Sequence, residues 1–315
     1  MTAKKILSII FKRRRLLESE VVPEGGQIVS SLEIEETRAH INKIEVMMKE
    51  NQPIDMVLPA FPGKSPNRNK TLSRWPDLAE KHSIDNLHLL CDEIKSIYEA
   101  GAKITICSDG YVFSDLVRIP DEDVAAYSID LIDYYKKHYA SSFNFFDLKD
   151  AFQQLDCMDA MREELMVRYG QSLVLLKDRT KVEKEIASMY LGITRFLYED
   201  FLGLDEFKGM SKAQVQKIAK NISYRVIQRS NAWSKLLENL FPDSLRLSIH
   251  PQYKVSNKIG VHMVATDDCW RTPWHSVAVK KNGYVYLERR SEVDEYKNRL
   301  IFQNGRPFYY SAIDT

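Results

Sequence analysis

Met56-Val57-Leu58-Pro59-Ala60-Phe61-Pro62-Gly63-Lys64-Ser65-Pro66-Asn67-Arg68-Asn69-Lys70 is the stretch that decides how this chain is read. The apolar start ends a strand. The prolines and Gly63 then hold the backbone on one path, while Lys64, Arg68 and Lys70 cluster three cations on it. A rigid, cationic loop directly after a strand is a candidate anion site, with Arg68 able to grip a carboxylate or phosphate bidentately. The alternative is a surface loop stiffened by proline. A Walker A pattern is absent.

Outward from the loop, Ile84, Leu87, Leu90, Cys91, Ile94 and Ile97 recur at helical spacing, with Ser83 as the expected cap and Gly101 as the stop. Lys103-Ile104-Thr105-Ile106-Cys107 follows as a buried strand. Strand, loop, helix and strand in this order predict a parallel βαβ unit. Upstream, Ile34, Ile41, Ile44 and Met48 mark a helix over 33–50. Downstream, Asp121, Glu122 and Asp123 open a helix that Lys136, Lys137 and His138 close, as the helix dipole favours. A third strand is expected over 143–148.

The fold class predicted is therefore α/β, a Rossmann-like layered, mostly parallel sheet. No GxGxxG follows the first strand, so a dinucleotide site is not supported. Residues 151–242 read as helical, with Val182, Ile186, Met189, Ile193 and Leu197 on one helix and Ser211/Gln214 as a capping box on another. After that the period changes to two. Leu245–Ile249, Ser276–Val279 and Tyr284–Leu287 alternate, and Asn282-Gly283 between the last two is a hairpin signal. The expected organisation is a partly disordered tail over 1–30 containing the turn-prone Pro23–Gly26, an α/β domain with a helical extension over 31–240, and a smaller strand-rich part over 241–315 that completes the site.

With 315 residues, 44% hydrophobic and 28% charged, the chain is long enough for a large core. Its 45 basic and 44 acidic residues nearly cancel, which argues against nucleic acid as a partner. Cys91, Cys107, Cys157 and Cys269 form no CxxC pair, and the expectation is a reducing cytoplasm. Ile6–Phe11 precedes the basic Lys12–Arg15, the reverse of a signal peptide, and no run is long enough to span a membrane.

Four further places carry candidate chemistry. Ser108-Asp109-Gly110, with Phe113, Asp115 and Arg118, forms a second polar loop at a strand's carboxyl end, where open parallel sheets bind ligands. Arg229 falls on the stripe Ile222, Val226, Trp233 and Leu237, with Arg225 one turn earlier. A buried arginine there needs a structural acid or an anionic ligand. Ser248-Ile249-His250 ends one strand, and Thr272-Pro273-Trp274-His275 precedes another, offering two histidines for proton transfer. No metal-binding pattern is present, and no metal or cofactor is expected.

Taken together, Leu58–Asn67, Ser108–Gly110 with Phe113–Asp115, Val226–Ser230, Leu245–Gln252 and Thr272–His275 resemble the pyoverdine/dityrosine biosynthesis family, whose bacterial members include isocyanide (isonitrile) synthases. The resemblance runs through roughly residues 50–290. It implies that the α-amino group of an aromatic amino acid, L-tyrosine or L-tryptophan, condenses with the ketone of ribulose 5-phosphate, whose ketone carbon becomes the isonitrile carbon. Eukaryotic relatives form formyl-tyrosine-type products. The product is commonly passed to an iron-dependent oxygenase. On this reading Lys64, Arg68, Lys70 and Arg229 serve the sugar phosphate, with Lys64 an alternative base or Schiff-base lysine, and Asn67, Ser108 and Arg225 are further substrate-binding residues. Asp109, His250 and His275 are the proton-transfer candidates, and Asp115 and Ser248 complete the polar lining. Arg118 or Arg195 would hold the carboxylate, and Phe113 and Trp274 would wall the ring.

Overall fold

The computed structural model describes residues 1–17, 34–264 and 271–313. In chain order the elements are α1 (Thr2–Phe11), α2 (Ile34–Lys49), β1 (Ile54–Pro59), α3 (Leu78–Lys95), β2 (Ala102–Cys107), α4 (Gly110–Val117), α5 (Asp121–Tyr139), β3 (Phe143–Phe146), α6 (Leu148–Ala151), α7 (Met158–Tyr169), α8 (Leu173–Val182), α9 (Lys184–Leu202), α10 (Lys212–Leu240), β4 (Leu245–Ser248), β5 (Lys258–Gly260), β6 (Val277–Lys281), β7 (Tyr284–Glu288), β8 (Asn298–Gln303) and β9 (Arg306–Ala312).

Five parallel strands form the main sheet, ordered β3-β2-β1-β4-β5. Its strands read as nearly unbroken apolar runs because both faces are covered. Met56, Leu58, Ile104 and Ile106 pack toward α1, α2, α3 and α5. Val57 and Cys107 face the other way, toward α4, α7 and the tryptophan stripe of α10. The expected α/β layering is what the chain adopts.

The second sheet, ordered β7-β6-β9-β8, is mixed. The hairpin β6–β7 turns at Asn282 and Gly283 with φ of 52° and 81°, the pair of positive values its two-residue turn requires. Leu72 packs on one face of this sheet and Ala79 on the other, so the segment leaving the opening loop is held against it.

Several expectations are corrected. The strands after residue 240 divide between the two sheets: β4 and β5 extend the first, and β6 to β9 form the second. The N-terminal reading as a tail fails over 2–11. Ala3, Ile6, Leu7 and Ile10 lie on one face of α1 and are buried, each large side chain contributing about 1.5–3 kcal/mol. Arg13 then pairs with Glu93 at 2.8 Å, and Arg14 donates to the Lys254 carbonyl at 2.6 Å. The rest of that tail, with Pro23–Gly26, lies largely outside the described residues, as does Cys269.

Helix α3 begins not at Ser83 but at Asp77, which makes a capping box with Glu80. Ser83 lies inside the helix and donates to the Ala79 carbonyl. Val182 ends α8 rather than sharing a helix with Leu197, and it is 81% exposed. The Ser211/Gln214 capping box is present as expected. Among the described residues no helix is long and apolar enough to cross a membrane.

Candidate active site

Strands β1, β2 and β3 are laid down in one direction, and β4 then returns to the opposite side of β1. Such a reversal opens a crevice at the carboxyl ends of the strands, the usual ligand site of open α/β sheets. Here it is a cleft open to solvent. Pro59, Asp109 and Leu247–His250 line it from the strand ends, Phe113 from α4, and Ser230, Trp233 and Ser234 from α10.

The two loops that meet there are stapled together. Ser108 donates its hydroxyl to the Phe61 carbonyl at 2.9 Å. A Cβ on Gly110 would lie 2.2 Å from the Pro62 carbonyl oxygen, so only glycine allows this approach. Phe61 itself is held at φ 59°, rare for a bulky residue, with its ring fully buried and edge-on to Trp274 at 5.4 Å.

Asp109 stands at the start of α4 in this cleft. Its Oδ1 is buried and has no hydrogen-bond partner among the described residues. Burial pushes its carboxyl up to about 7. His250, an exposed residue, lines the same space, and the surrounding protein, then Arg15 and Lys258, lower its pKa. The Trp233 indole N–H is also buried without a partner among the described residues. An acid that titrates near neutrality beside a neutral imidazole suits successive proton transfers.

The cleft contains two cations that sequence reasoning missed. Arg246 of β4 and Lys258 of β5 are direct partners in the parallel register. Sequence alternation marks Arg246 as sharing a strand face with Ser248. Only the pairing of β4 with β5 reveals Lys258 beside it.

A second cleft lies between the opening loop, α9 and the turn before β6. It brings Lys70, Arg195 and His275 together with Phe196, Glu199 and Arg289. The His275 ring meets Phe196 edge-on at 4.8 Å, and its Nδ1 is buried without a partner among the described residues. Burial, with Lys70, Lys64 and Arg289 nearby, holds its pKa well below the usual histidine range. Lys70 is matched by Asp200 at 2.5 Å and Glu199 at 3.8 Å. Arg195 and Arg289 both reach Glu199, at 3.1 and 2.9 Å.

The remaining sequence candidates lie elsewhere. Lys64 is fully buried, 2.8 Å from Asp77 and 3.0 Å from Glu80, and donates to the carbonyls of Pro273 and Ser276. Burial opposes its charge, but the two carboxylates more than compensate and raise its pKa. It offers no lowered pKa for a Schiff base and no face to a ligand. Glu80, crowded by burial and by Asp77, is raised to about 7 despite Lys64, and Tyr127 donates to it at 3.2 Å.

Asn67 is buried and donates to the Glu199 carbonyl at 3.1 Å. Arg68 is exposed and donates to the Thr71 hydroxyl at 3.1 Å. Arg229 ion-pairs with Asp115 and donates to the Val112 carbonyl, so its stripe position is explained by a structural acid. Arg118 pairs with Glu206 at 3.4 Å, and Arg225 is exposed. Trp274 is a core residue rather than a cleft wall. Among the described residues no group of three potential metal ligands occurs.

Comparison with known proteins agrees with this architecture. The profile described as "Pyoverdine/dityrosine biosynthesis protein" matches residues 44–301. The chain is 41% identical to the L-tryptophan isonitrile synthase AmbI2 of Fischerella ambigua, covering 98% of this chain and 91% of the relative. It is also 41% identical to the L-tyrosine isonitrile synthase of Pseudomonas aeruginosa, covering 98% and 94%. The crystal structure of PvcA from Pseudomonas aeruginosa superposes with a TM-score of 0.91 at 39% identity, covering 99% of this chain and all of that one. A shared sheet, a shared order of loops and matches over nearly the whole length have one meaning: this chain belongs to the pyoverdine/dityrosine biosynthesis family.

Proposed function

We propose that this isocyanide synthase condenses the α-amino group of L-tyrosine with the ketone of ribulose 5-phosphate, giving an isocyano carboxylic acid for secondary metabolism. The observation that carries the reading is the switch-point cleft, which Asp109, whose Oδ1 has no partner among the described residues, lines together with His250 and the aromatic Phe113 and Trp233. Imine formation needs the amine to lose a proton and the departing carbonyl oxygen to gain protons. A carboxyl that titrates at about 7 serves both directions at neutral pH. His250, neutral, accepts protons in the later elimination and carbon–carbon cleavage. His275 in the neighbouring cleft is held neutral as well and is a second base. Phe113 and Trp233 provide the wall for the amino-acid ring.

L-Tryptophan is the second reading, favoured by the equal identity of the chain to relatives that take each amino acid. We place the reaction in the cytoplasm, in keeping with the free thiols of Cys91, Cys107 and Cys157, with the product passing to an iron-dependent oxygenase. The test is incubation of purified protein with each amino acid and ribulose 5-phosphate labelled at the ketone carbon. An isonitrile carrying the label supports the reading, and a formamide in fresh, unacidified product points to the formyl-tyrosine branch. Consumption of no amine overturns it.

A further inference from the structure

We propose that Arg246 and Lys258, bridged by the Ser234 hydroxyl, form the subsite for a dianionic phosphate at the inner end of the switch-point cleft. This rests on the reading of that cleft as the reaction site, and it moves the phosphate away from the opening loop.

Register creates the pair. Arg246 on β4 and Lys258 on β5 are opposite each other in parallel strands, so both side chains leave the same face of the sheet at the same level. Helix α10 crosses above and brings Ser234 between them. Lys258 Nζ donates to the Ser234 hydroxyl at 3.0 Å, and Arg246 makes only long contacts to that residue, 3.3 Å to the hydroxyl and 3.4 Å to the carbonyl. Arg246 is 8% exposed, and its Nε is buried with no partner among the described residues. No carboxylate of a described residue lies within ion-pair distance of either cation.

Two adjacent cations, Arg246 buried and Lys258 partly buried, with no carboxylate of a described residue beside them are costly unless an anion completes them. Burial and, for Lys258, the neighbouring Arg246 already disfavour the charged forms. The exposed Glu238 acts on both only at a distance. A phosphate monoester carries −1.5 to −2 at neutral pH and accepts several hydrogen bonds, which suits a guanidinium, an ammonium and a hydroxyl together. An amino-acid carboxylate carries a single charge and would leave one cation unmatched.

The strand also sets a ruler. Ser248 follows Arg246 by one two-residue step on the same face, about 6.6 Å. In a ketopentose 5-phosphate the ketone carbon is five bonds from phosphorus, about 6 Å when extended. A phosphate on Arg246 and Lys258 therefore brings the ketone level with Ser248, near the strand ends where Asp109 and His250 face the cleft.

The test uses the intact protein with Arg246→Gln, Lys258→Gln and Ser234→Ala, and inorganic phosphate as the binding probe. Phosphate is expected to bind the parent by calorimetric titration, to compete with ribulose 5-phosphate, and to lose roughly 10- to 100-fold in affinity in either Gln variant. KM for ribulose 5-phosphate should rise by a similar factor while KM for the amino acid moves less than about threefold. A rise confined to the amino acid's KM would assign the pair to the carboxylate and overturn the proposal. Unchanged phosphate binding in Lys258→Gln, whose side chain is only partly buried and whose loss leaves no unpaired acid, would also overturn it. The titration needs no turnover, so this outcome is separate from failure of the isonitrile reading.

Discussion

The opening loop and the β4–β5 edge both concentrate positive charge, and they use it in opposite ways. On the loop, Lys64 meets Asp77 and Glu80, and Lys70 meets Asp200 and Glu199. Both lysines are matched by acids from the start of α3 or from α9 and serve to clamp the loop in place, while the exposed Arg68 donates to the Thr71 hydroxyl. At the sheet edge, Arg246 and Lys258 meet each other and a serine hydroxyl. Cations close in sequence thus became structural pairs, whereas cations brought together by strand register were left for a ligand. The loop's clamp still matters to the site, because it ties Pro59 and Phe61 to the turn that carries Trp274 and His275.

The contrast can be broken most sharply at Asp109. Asp109→Asn should lower turnover by about 10²–10⁴-fold, read as isonitrile formed under saturating substrates. In the parent, kcat/KM should rise with pH through about 7 as the carboxyl ionises, and the variant should lose that limb. The stability effect runs the other way. Because the folded pKa is raised, the neutral carboxyl favours folding below pH 4, and that contribution is lost as pH rises toward 7. Asp109→Asn should therefore be more stable than the parent at pH 8, on the order of a few kcal/mol, with little difference at pH 4. Equal denaturation midpoints at pH 8 would contradict a carboxyl whose ionisation the surrounding protein opposes.

Lys64→Met tests the other member of the comparison. It leaves Asp77 and Glu80 buried without their cation and should cost about 3–5 kcal/mol in a denaturant titration at pH 8. The loss should shrink at pH 5, since Glu80 already titrates at about 7 beside its lysine and would be protonated there. If Lys64→Met folded normally but bound ribulose 5-phosphate poorly, the loop would regain the role of phosphate grip.

His275→Ala sharpens the relation between the two clefts. An expected tenfold or so fall in kcat, with smaller changes in KM, would fit a base that acts from the second cleft. Full turnover would remove His275 from the chemistry. At the smallest end, Arg225→Ala should change neither KM nor kcat by more than about twofold, because its side chain faces solvent away from both clefts.

Much of the framework is legible in the amino-acid order. The βαβ unit stands out because β1 and β2 are apolar on both faces, and the Asn282-Gly283 hairpin because its turn demands two positive φ values. Asp109 is legible as a carboxylate at a strand's carboxyl end. Residues 2–11 mislead because a short helix beside a basic run looks like a tail until α2 and α3 bury its Ile6, Leu7 and Ile10. Lys64 misleads because its two acids lie 13 and 16 residues further along the chain.

What the sequence alone determined was local: element type, turn chemistry, the order of polar loops at the strand ends, and the set of motifs that mark the family. Which charges neutralise one another was decided only by tertiary structure. Coulombic pairing and desolvation depend on distance and burial, and both are set by how strands register and helices cross. Those contacts matched Lys64 and Arg229 with acids and left Asp109, Arg246 and Lys258 facing the cleft.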